Sequence, residues 1–300
     1  MDELEKEALR LGVGCRRGES GGSLTTFGSG GKVNYLFEPE DEKALRALQK
    51  LLLESKMPYR VIGGGSNLLI DDRGFEGALI RLSRFDRIER KGRELCVGAG
   101  VKLPLLAGRA ATESLSGVEF ACGIPGTAGG AAAVNAGAFG QSLSDALEEV
   151  TVLTSEGEIA RIPARDLGFE YHWATLPQGA ILLGLKLCLT QCDGETVKER
   201  MRSMTQKRRA TQPRQPSAGS VFGRVNGIPA ALLIEKTGLK GTRIGGAELS
   251  RVHCNFIVNA GGATTADYFA LAEKVRKKVG ETFGVMPQYE VERICSRIEN

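Results

Sequence analysis

The N-terminal part of the chain alternates between strand-like and helix-like patterns of apolar residues. Leucines recur at three- and four-residue spacing within residues 40–56, which predicts an amphipathic helix. Short apolar runs at 33–37 and 59–62 predict a strand on either side of it. Residues 1–11 are expected to form a short helix or arm, and the polar, glycine-rich residues 12–31 are expected to form a loop.

The middle of the chain is richer in strand-like runs. Strands are predicted at residues 78–82, 95–97, 150–154 and 181–189. A helix is predicted over residues 103–114. Residues 121–140 are mostly small and show no regular apolar period.

Charge rises sharply in the last third of the chain. A predicted helix at 197–209 carries six lysine and arginine side chains, and Pro213 and Pro216 end it. The remaining predicted elements are helices near 229–237 and 264–283 and a strand at 256–258.

These changes of pattern divide the chain into three parts. We place boundaries near residues 82 and 195, which gives domains over 1–82, 83–195 and 196–300. A length of 300 residues suits a compact protein of two or three domains.

Composition and charge exclude several classes of protein. The net charge of +4 suits a small anionic substrate, but nucleic-acid binding usually needs a dense basic stripe. The charged N-terminus has no apolar core of a signal peptide, and no apolar run reaches the roughly 20 residues of a membrane span. We therefore expect a cytoplasmic protein that binds neither nucleic acid nor membrane.

Cysteine and histidine usage bears on redox and metal chemistry. The seven cysteines are scattered and contain no C-x-x-C pair, which favours reduced thiols in the cytoplasm. With only His172 and His253, a histidine-rich zinc site is excluded and no metal is predicted, whereas a Ser-His-Asp triad stays open without support.

Glycine is the unusual component, with 40 of 300 residues against a typical share of about 7%. One glycine run directly follows the predicted strand at 59–62 and consists of Gly63, Gly64, Gly65, Ser66 and Asn67. Consecutive amides in such a run can point into one concave site that suits a phosphate or pyrophosphate. A plain turn is the alternative. No Walker A or Rossmann pattern is present.

A second glycine-rich stretch follows in the middle of the chain. Its candidate ligand-contacting residues are Gly123, Ile124, Pro125, Gly126, Thr127, Gly130, Asn135 and Gly137. Small residues let a large flat group lie against the backbone, and unpaired amides can meet phosphates or ring atoms. Tight packing between two sheets is the alternative interpretation.

Four motifs together resemble a known enzyme family. They are GGGSNLL, GIPGTAGG with NAGAFG, PSAGSVF, and GLKGTRIGGAELS followed by NFIVN. In this order, across roughly residues 25–292, they resemble the shorter, type II form of the UDP-N-acetylenolpyruvoylglucosamine reductases, the MurB family. Each motif alone is weak, whereas the combination is highly specific.

The resemblance implies an α+β fold. Residues 1–82 and 83–195 would be two α+β subdomains of an FAD-binding domain of the vanillyl-alcohol-oxidase (PCMH) type. Residues 196–300 would be an α+β substrate-binding domain. It also implies FAD, held by the two glycine-rich stretches, and NADPH as reductant. We expect the FAD to be bound without a covalent link and the protein to be a monomer. The substrate would be UDP-GlcNAc enolpyruvate, reduced to UDP-N-acetylmuramate for peptidoglycan synthesis.

The resemblance further assigns catalytic residues. Ser220 matches the family's proton-donating serine, and Glu290 matches its catalytic glutamate. Taken singly, Ser220 would pass for a turn serine and Glu290 for a surface residue.

The third catalytic position departs from the family. The family has an arginine directly after a tyrosine, whereas this chain has Tyr171-His172. A guanidinium is always charged and binds a carboxylate with a fork of donors, which a neutral imidazole cannot do. Either His172 takes the role, another arginine such as Arg161 or Arg165 supplies the charge, or the chain is a diverged homologue.

Substrate contacts are expected at four positions. Tyr171 and Arg209 match family residues, Arg209 being assigned to the substrate phosphates. After Phe222 the family continues with Lys-Asn-Pro, but this chain does not, so Arg224 or Asn226 is expected to take over that contact. Two alternatives stay open: a non-catalytic flavin or UDP-sugar binding homologue, and a different flavin oxidase, which would not explain PSAGSVF.

Overall fold

The structure is a computed structural model that describes residues 1–170, 173–174 and 176–296. The α-helices are α1 (Glu3–Arg10), α2 (Gly21–Leu24), α3 (Glu42–Glu54), α4 (Leu103–Thr112), α5 (Ala128–Ala133), α6 (Gly194–Thr211), α7 (Ala230–Glu235) and α8 (Thr265–Phe283). Short 3-10 helices occur at Glu119–Gly123, Leu143–Asp145 and Ala164–Asp166.

The strands are mostly short. They are β1 (Val13–Ser20), β2 (Lys32–Pro39), β3 (Tyr59–Ile62), β4 (Leu68–Ile70), β5 (Phe75–Arg81), β6 (Ile88–Lys91), β7 (Glu94–Gly98), β8 (Leu115–Ser116), β9 (Gly137–Ala138), β10 (Gln141–Ser142), β11 (Leu147–Leu153), β12 (Ile159–Pro163), β13 (Phe169–Glu170), β14 (Trp173–Ala174), β15 (Ile181–Cys188), β16 (Thr190–Gln191), β17 (Ser217–Ser220), β18 (Arg243–Ile244), β19 (Ala247–Leu249), β20 (Phe256–Asn259) and β21 (Glu292–Ile294).

The chain divides into two compact units that each combine separate stretches of sequence. The first comprises residues 1–16, 35–64 and 78–208. The second comprises residues 17–34, 65–77 and 209–300, described here to residue 296. The three domains predicted from the sequence, 1–82, 83–195 and 196–300, stay a prediction.

The first unit contains two hydrophobic clusters. One lies along an antiparallel sheet of order β12-β11-β15-β7-β6, against which the buried face of α4 and the small residues of α5 pack. The other surrounds α3, whose Leu45, Leu48 and Leu52 are fully buried. Strand β3 pairs in parallel with β5, and its last residue, Ile62, leads directly into Gly63.

The second unit is built on a sheet of order β17-β20-β19-β18. Helix α8 packs on it through Tyr268, Leu271 and Val275, all fully buried. A capping box of Thr264 and Asp267 begins this helix, and Gly284 ends it in the left-handed conformation. Strand β21 adds in parallel to β4, which places residues 292–294 beside the strand that follows the first glycine run.

Most predicted elements are confirmed to within a few residues at each end, but the predicted loop at 12–31 is wrong. That segment contains β1 and α2. Strand β1 lies at the edge of a sheet of order β1-β2-β5-β3, and Val13 is its only buried residue. Because a strand exposed on nearly all its length needs no alternation of apolar residues, β1 left no periodic signal in the sequence. Helix α5 also went unpredicted, because its alanines and glycines provide no polar face.

An ion pair ties β21 to the end of β4. The buried carboxylate of Asp71 accepts hydrogen bonds from the Arg73 backbone and side chain and from the Arg293 side chain. Burial alone would raise the pKa of Asp71, but these hydrogen bonds outweigh it and lower the pKa to about 2. The folded protein therefore favours the charged carboxylate.

We expect Asp71→Asn to lower the free energy of unfolding at pH 7 by about 2 kcal/mol. Because the folded-state pKa lies below the ordinary value of 3.8, this stabilisation is complete above that value and is lost as pH falls toward 2. Urea unfolding of both proteins at pH 7 and at pH 2 measures the difference. An equal difference at both pH values would contradict the assignment.

Candidate active site

The two glycine-rich stretches meet backbone to backbone in the first unit. A Cβ atom on Gly64 would lie 2.8 Å from the Cα of Gly126, and one on Gly63 would lie 2.7 Å from Thr127 Oγ1. Contacts this short do not occur for real Cβ atoms, so only glycine fits at either position. The structure thus brings together two segments that the sequence separates by about sixty residues.

Hydrogen bonds hold the second stretch in place. Gly126 has a φ of 124°, in the region that favours glycine, and its carbonyl accepts from the amide of Leu103 at 3.1 Å. Thr127 caps α5, since its hydroxyl accepts from the amide of Gly130 at 3.3 Å. The Ala128 amide donates to the carbonyl of Val101 at 2.8 Å. The glycine backbone is therefore fixed by its neighbours.

The first glycine run fits a pyrophosphate. Within the described part of the chain, the N–H groups of Gly64 and Gly65 donate to no protein acceptor. Gly65 is itself buried, and its φ of 66° turns the backbone sharply. A buried backbone amide without a protein partner, as at Gly65, is unusual in folded proteins, and backbone amides of glycine-rich loops are the groups that bind phosphate oxygens. This cradle suits the diphosphate of FAD.

An arginine that the sequence analysis passed over lies against the second stretch. A Cβ on Gly123 would be 2.8 Å from the Cδ of Arg208, on α6. Arg208 is half-buried, and burial lowers the pKa of its guanidinium. Among residues 1–170, 173–174 and 176–296, no carboxylate forms an ion pair with it. A desolvated cation beside a glycine loop suits an anionic ligand. The family resemblance pointed to its neighbour Arg209 as the residue that contacts the substrate phosphates.

The rest of the second stretch has structural partners of its own. Ile124 is half-buried and Pro125 is exposed. The side-chain oxygen of the buried Asn135 accepts from the Ser144 amide at 3.0 Å, and Gly137 pairs with Ser142 in the short ladder of β9 and β10. Asn135 has a φ of 41°. These contacts explain why Asn and Gly occupy these positions; contact with a cofactor stays a prediction.

The remainder of the first glycine run belongs to the second unit, where it contacts the segment Leu24–Thr26. A Cβ on Gly65 would overlap the carbonyl oxygen of Leu24. The amide of Thr26 donates to the Gly65 carbonyl at 2.9 Å, and its hydroxyl donates to the Ser217 carbonyl at 2.7 Å. Thr26 thereby links the glycine run to the strand that ends at Ser220. No sequence signal pointed to Thr26, which lies in the segment predicted to be a loop.

The structure places the backbone of Glu290 beside Val221, the residue that follows Ser220. The amide of Glu290 donates to the carbonyl of Val221 at 2.9 Å, and the amide of Gly223 donates to the carbonyl of Gln288 at 3.1 Å. Phe222 and Tyr289 form an antiparallel bridge between these bonds. Two of the three predicted catalytic residues, Ser220 and Glu290, are 70 positions apart in the sequence. Glu290 belongs to this short ladder, and Ser220 directly precedes its other strand.

Both predicted catalytic side chains are half-buried. Gly219, with a φ of 81°, forms an irregularity in β17 directly before Ser220. Within the described residues the Ser220 hydroxyl has no hydrogen-bond partner. A half-buried hydroxyl without a protein acceptor can donate to a bound substrate.

A buried asparagine fixes the serine segment. The side-chain oxygen of Asn255 accepts from the Phe222 amide at 3.1 Å, and its amide group donates to the Phe222 carbonyl at 2.8 Å. The Asn255 backbone carbonyl accepts from the Val221 amide at 2.8 Å. Asn255 opens the NFIVN motif, so the sequence singled out the motif without revealing this role.

The predicted substrate-binding residues lie in different settings. Arg209 is exposed near the end of α6. Arg224 donates to the Gly227 carbonyl at 2.8 Å, next to a turn in which Val225 and Ile228 exchange both backbone hydrogen bonds. Asn226 and Gly227 have φ values of 50° and 78°, as in Asn-Gly hairpin turns. Tyr171 and His172 lie outside the described residues.

Other chemistries lack a site in the described part of the molecule. No group of three or more His, Cys, Asp or Glu side chains there could hold a metal ion. All seven cysteines are free thiols. Of the helices described, none combines the length and apolar character that crossing a bilayer requires.

Comparison with known proteins agrees with this architecture. A family model described as an FAD binding domain matches residues 33–163. A second, described as the C-terminal domain of UDP-N-acetylenolpyruvoylglucosamine reductase, matches residues 212–294. An FAD-binding domain followed by this C-terminal domain defines the protein as an FAD-dependent oxidoreductase with an α+β fold of the PCMH type, as predicted.

Individual relatives show to which family of FAD-dependent oxidoreductases the chain belongs. The chain is 41% identical to UDP-N-acetylenolpyruvoylglucosamine reductase 2 of Symbiobacterium thermophilum, over 97% of this chain and 96% of that protein. It is 38% identical to the reductase of Halalkalibacterium halodurans, over 99% and 100%. The crystal structure of the reductase from Thermus caldophilus superposes with a TM-score of 0.81 at 36% identity, over 94% of this chain and 99% of that one. The chain belongs to the UDP-N-acetylenolpyruvoylglucosamine reductase family, which confirms the resemblance found in its motifs.

Proposed function

We propose that this protein reduces UDP-GlcNAc enolpyruvate to UDP-N-acetylmuramate, with FAD as cofactor and NADPH as reductant, in peptidoglycan precursor synthesis. The observation that carries the proposal is the backbone ladder that joins the segment following Ser220 to the segment of Glu290, in a member of this family.

The glycine-rich stretches are proposed to hold FAD without a covalent bond. Gly63, Gly64, Gly65, Ser66 and Asn67 would bind its diphosphate through backbone amides. The stretch Gly123–Gly137 would lie along the cofactor, with Arg208 as a counter-charge. FAD held there would supply hydride transfer from NADPH to the methylene carbon of the enolpyruvyl group.

The protein must then stabilise charge and deliver one proton. Negative charge develops on the carbon next to the methylene group and spreads into the substrate carboxylate. Ser220 is proposed to donate its hydroxyl proton to that carbon, because the enolate-like species is a strong base even though serine is a weak acid. Glu290 is proposed to polarise the substrate and organise the proton transfer. Donors aimed at developing charge are each worth about 3–4 kcal/mol.

Substrate binding is assigned to positively charged and polar groups. Tyr171, Arg209, Arg224 and Asn226 are proposed to contact the UDP-sugar, and His172 to contact the carboxylate. The two rival arginines carry partners in the structure: Arg161 forms an ion pair with Glu149 at 3.9 Å, and Arg165 forms one with Asp166 at 3.8 Å. Both lie in exposed ion pairs, and His172, which follows Tyr171 as the arginine does in the family, is proposed for the role.

One spectroscopic experiment tests the function. Under anaerobic conditions NADPH should bleach the visible absorbance of the purified holoprotein, and the enolpyruvyl substrate should restore it. Restoration by the substrate supports the reductase, whereas bleaching without restoration supports the non-catalytic homologue. The proposal keeps the cytoplasmic monomer expected from the sequence, and light scattering of the purified protein tests the monomer.

His172 provides a second test. We expect His172→Ala to lose most of the reoxidation by substrate while flavin reduction by NADPH stays near wild type. His172→Arg should keep the reaction and show a weaker fall with rising pH, because an imidazolium loses its proton near neutrality and a guanidinium does not. Normal turnover in His172→Ala, together with an inactive Arg161→Ala or Arg165→Ala, would transfer the role to an arginine.

A further inference from the structure

The side chain of Asn67 leaves the glycine run and contacts the catalytic segment. Its Nδ2 group donates to the backbone carbonyl of Glu290 at 3.0 Å. Its own backbone carbonyl accepts from the amide of Glu292, also at 3.0 Å. The motif predicts that Asn67 contacts the cofactor. In the structure its side-chain amide donates a hydrogen bond to the backbone carbonyl of Glu290.

Asn67 completes the support of the Glu290 peptide. The Glu290 amide is bound by the carbonyl of Val221, next to Ser220, and the Glu290 carbonyl is bound by Asn67. Directly beyond, β21 pairs with β4, and Glu292 lies opposite Leu68. The backbone of Glu290 is therefore held at its N–H by the serine segment and at its C=O by the last residue of the glycine run.

We propose that Asn67 is a positioning residue for Glu290, acting through the hydrogen bond from its amide to the Glu290 carbonyl. This inference rests on the proposed function. Aspartate, the residue closest in shape, is an acceptor only when ionised and would face the carbonyl with a negative charge. Alanine removes the donor without adding charge. Misplacing a catalytic group by about 1 Å costs roughly 100-fold in rate.

The experiment compares both half-reactions of the holoprotein by anaerobic rapid mixing. We expect Asn67→Ala to keep stoichiometric FAD and near wild-type reduction by NADPH. Reoxidation by UDP-GlcNAc enolpyruvate should slow by about 10- to 100-fold. In a Glu290→Gln background the same change should slow reoxidation little further. The carboxylate that Asn67 is proposed to position is then already absent. If Asn67→Ala fails to fold, Asn67→Asp is measured in the same way.

A matched control is available in the same unit. The side-chain amide of Asn259 donates to the Phe27 carbonyl at 3.1 Å, so Asn259→Ala also removes a bond from an asparagine to a backbone carbonyl. It should lower stability and leave the ratio of the two half-reactions unchanged.

The outcomes separate the inference from the function. Loss of FAD with normal reoxidation in the reconstituted Asn67→Ala protein would make Asn67 a cofactor ligand and overturn the inference. Unchanged reoxidation, or a loss that adds fully to that of Glu290→Gln, would overturn it as well. Failure of the unmodified protein to be reoxidised by the substrate would instead contradict the proposed function, and the role of Asn67 with it.

Discussion

Ser220→Ala is expected to slow reoxidation by the enolpyruvyl substrate by about 10²- to 10⁴-fold, the usual contribution of a general acid. Reduction of the bound flavin by NADPH should stay near wild type, because that step needs no proton from the protein's serine. Single-wavelength traces of the two half-reactions measure both rates. A slow reoxidation together with a normal rate of flavin reduction identifies a proton donor, because a general loss of structure would slow both half-reactions.

Ser217→Ala is the matched control for this substitution. Ser217 begins the same strand, β17, and its contact with Thr26 uses the backbone carbonyl, which alanine keeps. We expect both of its half-reactions near wild type. Two half-reactions near wild type in Ser220→Ala would remove Ser220 from the mechanism.

The sequence predicted the separate parts of this site better than their arrangement. Motifs singled out the glycine runs and Ser220, because each is a short local pattern, whereas Glu290 was predicted only from the resemblance to the family. The ladder between Val221 and Glu290 joins segments far apart in the chain through backbone atoms, which carry no side-chain signal. Thr26 was not predicted for a related reason. The elements before it, β1 and α2, bury too few residues to give a periodic pattern of apolar positions.

The structure bears on one of the two interpretations of the glycine-rich stretches, the tight packing of backbones. Tight packing was one explanation for the second stretch, and ligand contact was the other. Gly64 and Gly126 do pack at a distance only glycine allows, and the same packing leaves the amide of Gly64 without a partner among the described residues. Close packing is therefore observed for these two glycines, and contact of the glycine-rich stretches with a ligand stays a prediction.

Asn67 shows that the members of one motif can contact different groups. The whole run GGGSN was assigned to the cofactor, but its members face different groups: Gly64 meets Gly126, Gly65 meets Leu24, and the Asn67 side chain binds Glu290. A motif records that residues occur together in sequence. It does not show that they share one ligand.

Gly64→Val is expected to abolish retention of FAD. The added Cβ would lie 2.8 Å from the Cα and 3.4 Å from the amide nitrogen of Gly126. Gly64 does not have a positive φ, so the obstacle is this collision with backbone and not a forbidden angle. Overpacking costs about 1–3 kcal/mol where side chains can move aside, and here hydrogen bonds of Gly126 and Ala128 fix the opposing backbone. Relief of the clash must displace the Gly64 amide from the cradle.

The test compares Gly64→Val and Gly64→Ala with Gly108→Ala, a control in the same unit. A Cβ on Gly108 meets nothing within 4 Å, and alanine favours the helix α4 in which it lies by about 1 kcal/mol. We expect Gly108→Ala to purify with FAD, Gly64→Ala to bind it weakly, and Gly64→Val to purify without it while its circular dichroism stays that of a folded protein. The flavin absorbance per chain measures retention. A folded Gly64→Val protein with one FAD per chain would show that the backbone amides of the first glycine run do not hold the cofactor.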